Sequence, residues 1–215
     1  MSSASDSADR PGRSQGTGNG SLSEAEIVAA ALRVVRVDGV EKLSMRRLSR
    51  ELGVSPMAPY YYVADKSELL DLVVSAALSG IRIPQKSEGT WQERLRALLD
   101  QLNDRLRRHP GLGEVLLERM LRKQLDLIDA IMEVLFDAGF NSRNVLAAYV
   151  TMHTYLFGSS RVTNAPPDPR TELPPSVARA TEHLSDVRGK YLYDFAVETM
   201  IAGLEAQLVR QLGDQ

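Results

Sequence analysis

Residues 44–70, SMRRLSRELGVSPMAPYYYVADKSELL, contain the start signals of two helices, separated by a segment with two prolines and three tyrosines. Ser44 is a favourable N-cap for a short amphipathic helix over 45–52. Asp65 followed by Glu68 forms a second capping pattern, which predicts that another helix begins directly after Asp65. The structure of the region therefore depends on the segment between these two helices.

That segment, GVSPMAPYYYV (53–63), has features of both a strand and a helix. Tyrosine favours sheets, but proline removes a donor from a strand ladder, and no second strand is visible to pair with this one. Gly53 permits a sharp turn, Ser55 is a preferred N-cap, and Pro56 then occupies the first helical position, where a missing N–H costs nothing. We therefore predict a short helix that begins at Ser55, and with it a helix-turn-helix.

The sequence before this region predicts one more helix. Ser23 and Glu26 form a capping box, and apolar residues recur at helical spacing after them. Gly39 follows at a position where helices commonly end, so we expect a helix over 23–38. Residues 1–21 are rich in Ser, Gly and Asp, with almost no large apolar side chain, and are expected to form a disordered tail.

Beyond residue 84 the chain is also predicted to be helical, which makes the expected fold class all-α. The segment NVLAAYVTMHTYLFGSS (144–160) has no formally charged residue, and a helix without a charged face is buried on most sides. The final amphipathic segment, VRGKYLYDFAVETMIAGLEAQLV (187–209), has several large apolar residues. We expect these two helices to form half of a four-helix interface in a homodimer.

Composition excludes several classes of protein. The 215 residues have a formal net charge of −2, no cysteine and three widely spaced histidines, so we expect no disulfide, no metal site and no cofactor. We find no nucleophile elbow, phosphate-binding loop or catalytic triad, so the chain is not expected to be an enzyme. We also find no signal peptide and no apolar run of about 18 residues, so we expect a cytoplasmic protein with no membrane contact. Because the chain is not basic overall, any binding to nucleic acid must depend on local arrangement.

Residues 22–75 resemble the DNA-binding domain of the TetR family of transcriptional regulators. The family pattern runs roughly T-x-R-x-L-A-x-x-x-G-V-S-x-x-x-L-Y-x-H-F-x-x-K-x-x-L. Nine positions match it: Ser44, Arg46, Leu48, Gly53, Val54, Ser55, Tyr60, Lys66 and Leu69. The chain departs from the pattern at Pro59, Tyr62 and Val63, where the family usually has an aliphatic residue, histidine and phenylalanine.

The resemblance implies a set of residues that contact DNA. Met57 and Ala58, near the start of the recognition helix, would contact base edges, while Arg46 and Arg47 would contact the DNA backbone. Lys66 would bind a phosphate at the start of the following helix. The complete set that we expect to contact DNA is Ser44, Arg46, Arg47, Ser55, Met57, Ala58, Tyr60, Tyr61, Tyr62 and Lys66.

The resemblance also implies an organisation in three parts: a tail (1–21), a helix-turn-helix domain (22–80) and a helical ligand-binding and dimerisation domain (81–215). A homodimer would place two modules on two half-sites of a near-palindromic, double-stranded DNA operator. A small apolar or aromatic effector of unknown identity would weaken DNA binding by shifting the dimer to another conformation. The effector would bind in a mainly apolar pocket of the C-terminal domain. The residues predicted to line this pocket are Trp91, Leu102, Leu116, Met120, Gln124, Ile128, Tyr149, Met152, His153 and Phe157.

The leading hypothesis is therefore a repressor that an effector releases from its operator. Two alternatives stay open at this point: a constitutive regulator without an effector, and a helical interaction module whose helix-turn-helix is only structural. The sequence also leaves open whether the regulator represses or activates, and how Pro59 affects the recognition helix.

Overall fold

The computed structural model describes residues 22–109, 111–113, 115, 116, 119, 124–158 and 172–213; the predicted tail at 1–21 lies outside this part. All regular structure in the described part is helical, which confirms the all-α class. The helices are α1 (Glu24–Asp38), α2 (Met45–Leu52), α3 (Lys66–Leu78), α4 (Trp91–Arg108), α5 (Leu125–Asp137), α6 (Ser142–Gly158), α7 (Pro175–Thr181) and α8 (Gly189–Gly213). Two short 3₁₀ helices lie at Val40–Lys42 and Ala58–Tyr61.

Helix α1 begins and ends as its local sequence predicts. The Glu26 amide donates to Ser23 Oγ at 3.2 Å, while the Ser23 amide donates to the Glu26 carboxylate at 2.8 Å, so both halves of the capping box are present. At the other end Gly39 has φ 86°, and its amide donates to the carbonyl of Val35 at 3.1 Å. A side chain at Gly39 would disfavour this positive φ, so glycine suits the helix end.

Helix α2 is likewise confirmed over residues 45–52. Ser44 Oγ accepts a hydrogen bond from the Arg47 amide at 3.2 Å and so caps the helix. Gly53 ends it in the left-handed conformation, with φ 66° and ψ 28°, and its amide donates to the carbonyl of Arg50 at 3.3 Å. This turn redirects the chain into the segment that contains the tyrosines.

The prediction that an α-helix begins at Ser55 is wrong. The chain forms a turn after Ser55 and then the 3₁₀ helix Ala58–Tyr61. The Ala58 amide donates to the carbonyl of Ser55 at 3.0 Å, and the Tyr60 amide to that of Met57 at 3.1 Å, so the bonds at the start of this segment span three residues. The first bond that spans four residues comes later, from the Val63 amide to the carbonyl of Pro59 at 3.1 Å. The physical reason is Pro59, because it has no N–H to give the carbonyl of Ser55 the bond that an α-helix requires.

The 3₁₀ helix is held against the core by one of its own residues and by one that follows it. Pro59 is buried, and Val63, two residues after the helix ends, is 1% exposed. Val63 belongs to the same hydrophobic core as Leu48 of α2 and Leu69 of α3, which are fully buried. The buried side chains continue without a break from Ile27 in α1 to Val197 in α8, so the N-terminal helices pack directly on the rest of the chain.

Polar contacts also connect helix α3 to the chain that follows α4. Arg119 donates to the Ser67 carbonyl at 3.0 Å and pairs with the Asp71 carboxylate at 2.8 Å. One helical turn further along α3, Ser75 Oγ accepts from the Gln124 side-chain amide at 3.1 Å. Three residues of α3 are therefore linked to the C-terminal region by hydrogen bonds.

We predict that Ser44→Ala and Ser55→Ala differ in their effect on stability. Loss of the Ser44 cap should lower the free energy of unfolding by about 1 kcal/mol. Ser55 caps no helix, and its replacement should change that free energy by less than about 0.5 kcal/mol. Urea unfolding followed by circular dichroism measures both values, and equal losses in the two variants would contradict the corrected start of the turn.

Candidate nucleic-acid interface and core cavity

The 3₁₀ helix Ala58–Tyr61 presents a group of large side chains to solvent. Tyr61 is 86% exposed and Met57 is 63% exposed. Large, mainly apolar side chains such as these are usually much less exposed in a folded protein. Tyr60 is also exposed, while Ala58 is half-buried. Pro59, which lies between Met57 and Tyr60 in the chain, is buried. The exposed side chains therefore project from a turn that is anchored in the protein interior.

Tyr62 differs from its two neighbours because its hydroxyl already has a partner. It donates to the carbonyl of Leu22, directly before the N-cap of α1. Leu22 itself packs against the core. Tyr62 therefore connects the turn to the start of α1, and of the three tyrosines it is the least exposed.

Helix α2 presents two adjacent arginines in different states. Arg47 donates to Asp38 at 2.8 Å and to Glu51 at 2.9 Å, and Arg33 also pairs with Glu51 at 3.0 Å. Hydrogen bonds from Arg33 and Arg47 hold the pKa of Glu51 below its ordinary value, so this carboxylate stays ionised. Arg46 is exposed, and within the described residues no carboxylate pairs with it. The sequence suggested equal roles for Arg46 and Arg47, whereas the structure leaves Arg46 the more accessible of the two.

The start of α3 contains a third basic group. Lys66 is half-buried, and its Nζ donates to the carbonyl of Val40 at 3.3 Å. Asp65 caps the helix by accepting from the Glu68 amide at 2.9 Å, and Glu68 accepts from the Ala64 amide at 2.6 Å. The carboxylates of Asp65 and Glu68 occupy part of this helix start. An anion bound there would therefore depend on the positive charge of Lys66 for its stabilisation.

Five of the ten predicted pocket residues surround one small cavity between α4, α5 and α6. The cavity has a volume of ≈ 10 Å³, about the space that one water molecule needs. Eight residues line it. The five that were predicted are Leu102, Tyr149, Met152, His153 and Phe157, and the three that were not are Leu99, Ile131 and Leu156. The three that were missed lie one helical turn or less from predicted members, so the helical spacing of apolar residues was the available signal.

The other predicted pocket residues do not line this cavity. Trp91 lies about three turns before Leu102 on α4 and packs edge-on against Phe140, with ring centroids 5.6 Å apart. Gln124 is bonded to Ser75, as described above. Leu116 and Ile128 are buried in the core outside the lining, and Met120 lies outside the described residues.

Two polar atoms near this cavity are buried without a hydrogen-bond partner in the described part of the chain. They are the hydroxyl of Tyr149 and Nε2 of His153. Burial raises the pKa of Tyr149 to about 12 and lowers the pKa of His153 below its ordinary value. Both side chains are therefore neutral at pH 7.

A second, open space lies between α6 and α8. This groove has a volume of ≈ 380 Å³, and the residues that line it are Asn144, Ala147, Ala148, Thr151, Met152, Met200, Gly203, Leu204 and Gln207. Met152 lines both the groove and the small cavity. Its side chain is thus part of the wall between them.

Helix α8 has few buried positions for its length. It runs for 25 residues, of which Tyr193 and Val197 are buried. Tyr191, Phe195 and Val209 are exposed apolar residues that share one helical face, since they are separated by four and fourteen residues. Leu146 and Val150, one turn apart on α6, are also exposed.

Among the described residues there is neither a membrane-spanning helix nor a metal-binding cluster. No helix there has the length and apolar character needed to cross a membrane. In the same residues no group of three or more His, Cys, Asp or Glu side chains is arranged to hold a metal ion.

Comparison with protein families gives two matches that together span most of the chain. Residues 27–73 match the model described as bacterial regulatory proteins, tetR family. Residues 83–208 match the model described as tetracyclin repressor-like, C-terminal domain.

Individual relatives agree with these matches. An HTH-type transcriptional regulator of Saccharopolyspora erythraea is 31% identical over 140 residues, 64% of this chain and 59% of the relative, so the chain spans less than two thirds of that protein. The tetracycline repressor protein class D of Escherichia coli is 26% identical over 203 residues, 89% of this chain and 93% of the relative. Streptomyces coelicolor ActR in complex with actinorhodin shares the fold, with a TM-score of 0.68 at 22% identity over 87% of this chain and 98% of that chain. The first two of these relatives are named as a transcriptional regulator and a repressor, in agreement with the expectation that the chain is not an enzyme.

Proposed function

The chain belongs to the TetR family of bacterial regulatory proteins, and on that premise we propose that it is a homodimeric repressor that binds a near-palindromic DNA operator and is released by a small apolar or aromatic effector. The observation that supports DNA binding most strongly is the exposure of Met57, Tyr60 and Tyr61 on a turn anchored by buried residues. This turn occupies the position of the second helix of a helix-turn-helix, the element that enters the major groove.

The side chains of this surface suit DNA in different ways. Tyr61 is the most exposed, and its ring and hydroxyl suit contact with thymine methyl groups or with phosphates. Arg46 is the arginine of α2 best placed for a phosphate, because Arg47 is occupied by Asp38 and Glu51. Arg47 would have to exchange these carboxylates for a phosphate, and Lys66 would have to leave the carbonyl of Val40.

Homodimer formation is supported by the exposed apolar face of α8 and the adjoining side chains of α6. Tyr191, Phe195 and Val209 on α8, with Leu146 and Val150 on α6, form an apolar surface that a second copy would cover. Pairing α6 and α8 with the same helices of the partner gives the four-helix interface expected from the sequence. The dimer then places two tyrosine-bearing turns on two half-sites of one operator.

Effector release requires that a change in the C-terminal region reach α3. The contacts of Arg119 with Ser67 and Asp71, and of Gln124 with Ser75, supply such a connection. Movement of these residues would carry α3 and the adjacent turn with it and change the separation of the two turns in the dimer. Coupling of this kind typically amounts to ~1–3 kcal/mol. ActR, whose fold the chain shares, is known in complex with actinorhodin, which supports a small-molecule effector.

One observation favours a second candidate function. The core cavity has a volume of ≈ 10 Å³, too small for any effector in the described conformation. A constitutive regulator without an effector would have such a filled core. The two functions differ in one measurement, because only the first predicts that a bound small molecule weakens operator binding.

For DNA binding, we predict that Tyr61→Ala lowers operator affinity at least tenfold, because the variant removes the most exposed side chain of the turn. The operator is a duplex enriched from random DNA by the unaltered protein, and fluorescence anisotropy at a fixed salt concentration measures affinity. Tyr61→Phe is the matched control, since it removes only the hydroxyl and separates ring contacts from hydrogen bonds. If Tyr61→Ala binds as tightly as the unaltered protein, the turn is not the element that contacts the bases.

For the dimer, we predict that Val209→Asp produces a monomer, because it places a charge in the proposed apolar interface. Val37→Asp is the matched control: Val37 lies on α1 and is 72% exposed, against 71% for Val209. Light scattering after size-exclusion chromatography measures the mass of each variant. A dimer of Val209→Asp as stable as that of Val37→Asp would place the interface elsewhere.

A further inference from the structure

Four basic side chains lie together where the ends of α1 and α4 approach each other, outside the surfaces described above. Arg36 is in the last turn of α1, Arg105 and Arg108 are in the last turn of α4, and His109 is the C-cap of α4. Partial burial, and then the positive charges of Arg105, Arg36 and Arg108, hold the pKa of His109 below its ordinary value. All three guanidinium groups therefore act on one imidazole, and we call these four residues the α1–α4 cluster.

Close contacts fix this approach of the helix ends. A β-carbon at Gly111, two residues after the C-cap of α4, would lie 3.4 Å from the carbonyl oxygen of Val35 in the last turn of α1. Nη2 of Arg105 lies 3.2 Å from the position that a β-carbon at Gly80 would take, just after the end of α3. The end of α4 thus packs against the ends of both α1 and α3, and the cluster has a defined place in the fold.

The arginines of the cluster have no carboxylate partner within the described residues. Asp38, two residues after Arg36, pairs instead with Arg47 at 2.8 Å. Other arginines in the described part each pair with at least one carboxylate: Arg33, Arg47, Arg82, Arg94, Arg96 and Arg119. Basic residues are favourable at a helix C-terminus, but neighbouring like charges without a partner repel each other. Their concentration here, in a chain with a net charge of −2, points to an anionic partner.

The exposure of the cluster suits a long anion better than a small one. Arg36 and Arg108 are exposed, Arg105 and His109 are half-buried, and none of the four lines the core cavity or the α6–α8 groove. Small molecules are usually held in concave sites, whereas a nucleic-acid backbone presents a row of phosphates to an exposed basic surface. The cluster therefore fits a polyanion with regularly spaced charges.

The position of the cluster favours DNA as that polyanion. The exit of α1 borders the proposed phosphate contacts of the helix-turn-helix, because Asp38 pairs with Arg47 and the carbonyl of Val40 accepts from Lys66. The Cα atoms of Arg36 and Val40 are at most about 14 Å apart, since four residues of extended chain span no more. That span corresponds to about four base pairs of a duplex. A duplex that contacts Lys66 and continues past the half-site would therefore come within reach of the cluster.

We propose that the α1–α4 cluster binds the phosphate backbone of DNA just outside each operator half-site, in addition to the contacts of the tyrosine-bearing turn. This inference rests on the proposed function and adds a second contact surface to it. Because phosphates carry no base information, this surface raises affinity without depending on the sequence of the flanking DNA. It also makes the bound segment of DNA longer than the two half-sites alone.

The first test varies the length of the DNA. One duplex ends at the outer edges of the two half-sites, and a second continues on each side for about ten base pairs, one helical turn. The unaltered protein should bind the longer duplex about tenfold more tightly at about 0.1 M salt, because both protomers gain phosphate contacts. Replacing the flanking sequence by another should leave this affinity unchanged. Fluorescence anisotropy measures binding to all three duplexes.

The second test uses Arg36→Gln and Arg108→Gln, each of which removes one exposed positive charge. In a dimer each substitution deletes two phosphate contacts, so the slope of log K against log salt on the longer duplex should become less steep by about 2. Affinity for the longer duplex should fall about tenfold, while affinity for the shorter one stays within about twofold of the unaltered protein.

Arg107→Gln is the matched control for Arg108→Gln. Arg107 is exposed in the same helical turn and its substitution removes the same charge, but it is not among the charges that act on His109. This variant should keep the salt dependence and the affinity of the unaltered protein on both duplexes.

Three results would overturn the proposal: equal affinity of the unaltered protein for both duplexes, equal losses in Arg107→Gln and Arg108→Gln, or a loss in Arg108→Gln that is the same on both duplexes. A cluster that served RNA or an acidic protein would give the first of these results. If the operator is bound without any effect of flank length, the cluster does not contact DNA and the proposed regulator stands. If no operator is bound at all, the proposed function fails and this inference fails with it.

Discussion

The missing N–H of Pro59 is the constraint on which the arrangement of the candidate DNA surface depends. It prevents an α-helix from starting at Ser55, so the chain forms a 3₁₀ helix whose bonds span three residues. The same proline is buried with Val63 and fixes the turn on the core. Tyr61 is exposed as a consequence. Gly53, in the left-handed conformation, ends α2 and turns the chain toward this segment. The proposed contact surface for DNA is thus small and rigidly supported.

A second set of contacts connects this surface to the C-terminal helices. The hydrophobic core is continuous between the two regions, and Arg119 and Gln124 add hydrogen bonds to three positions on α3. A rearrangement of α6 would therefore not stay local, because α6 packs on α5, which follows directly after Gln124. This physical continuity is what the proposed release by an effector needs.

Sequence predicted those features that depend on neighbouring residues. The caps at Ser23 and Ser44 and the bounds of α1 and α2 follow from interactions within one helical turn, and the structure confirms them. The family resemblance is confirmed as well, although Val63 stands where the family has phenylalanine. The α-helix predicted at Ser55 does not form, because the favourable cap residue is followed one turn later by Pro59, which lacks the N–H for the first helical bond.

Features that depend on packing between distant segments were predicted only in part. Trp91 and Leu102 share a helix, but the partners on α5 and α6 decide which of them faces the cavity. The pairing of Arg47 with Asp38 could not be predicted either, because it depends on the angle between α1 and α2.

The most direct test of DNA binding by the tyrosine-bearing turn is amide hydrogen exchange with and without operator DNA. We predict that protection concentrates at residues 57–66, while α7 is unchanged; unchanged exchange at 57–66 with tightly bound DNA would contradict it.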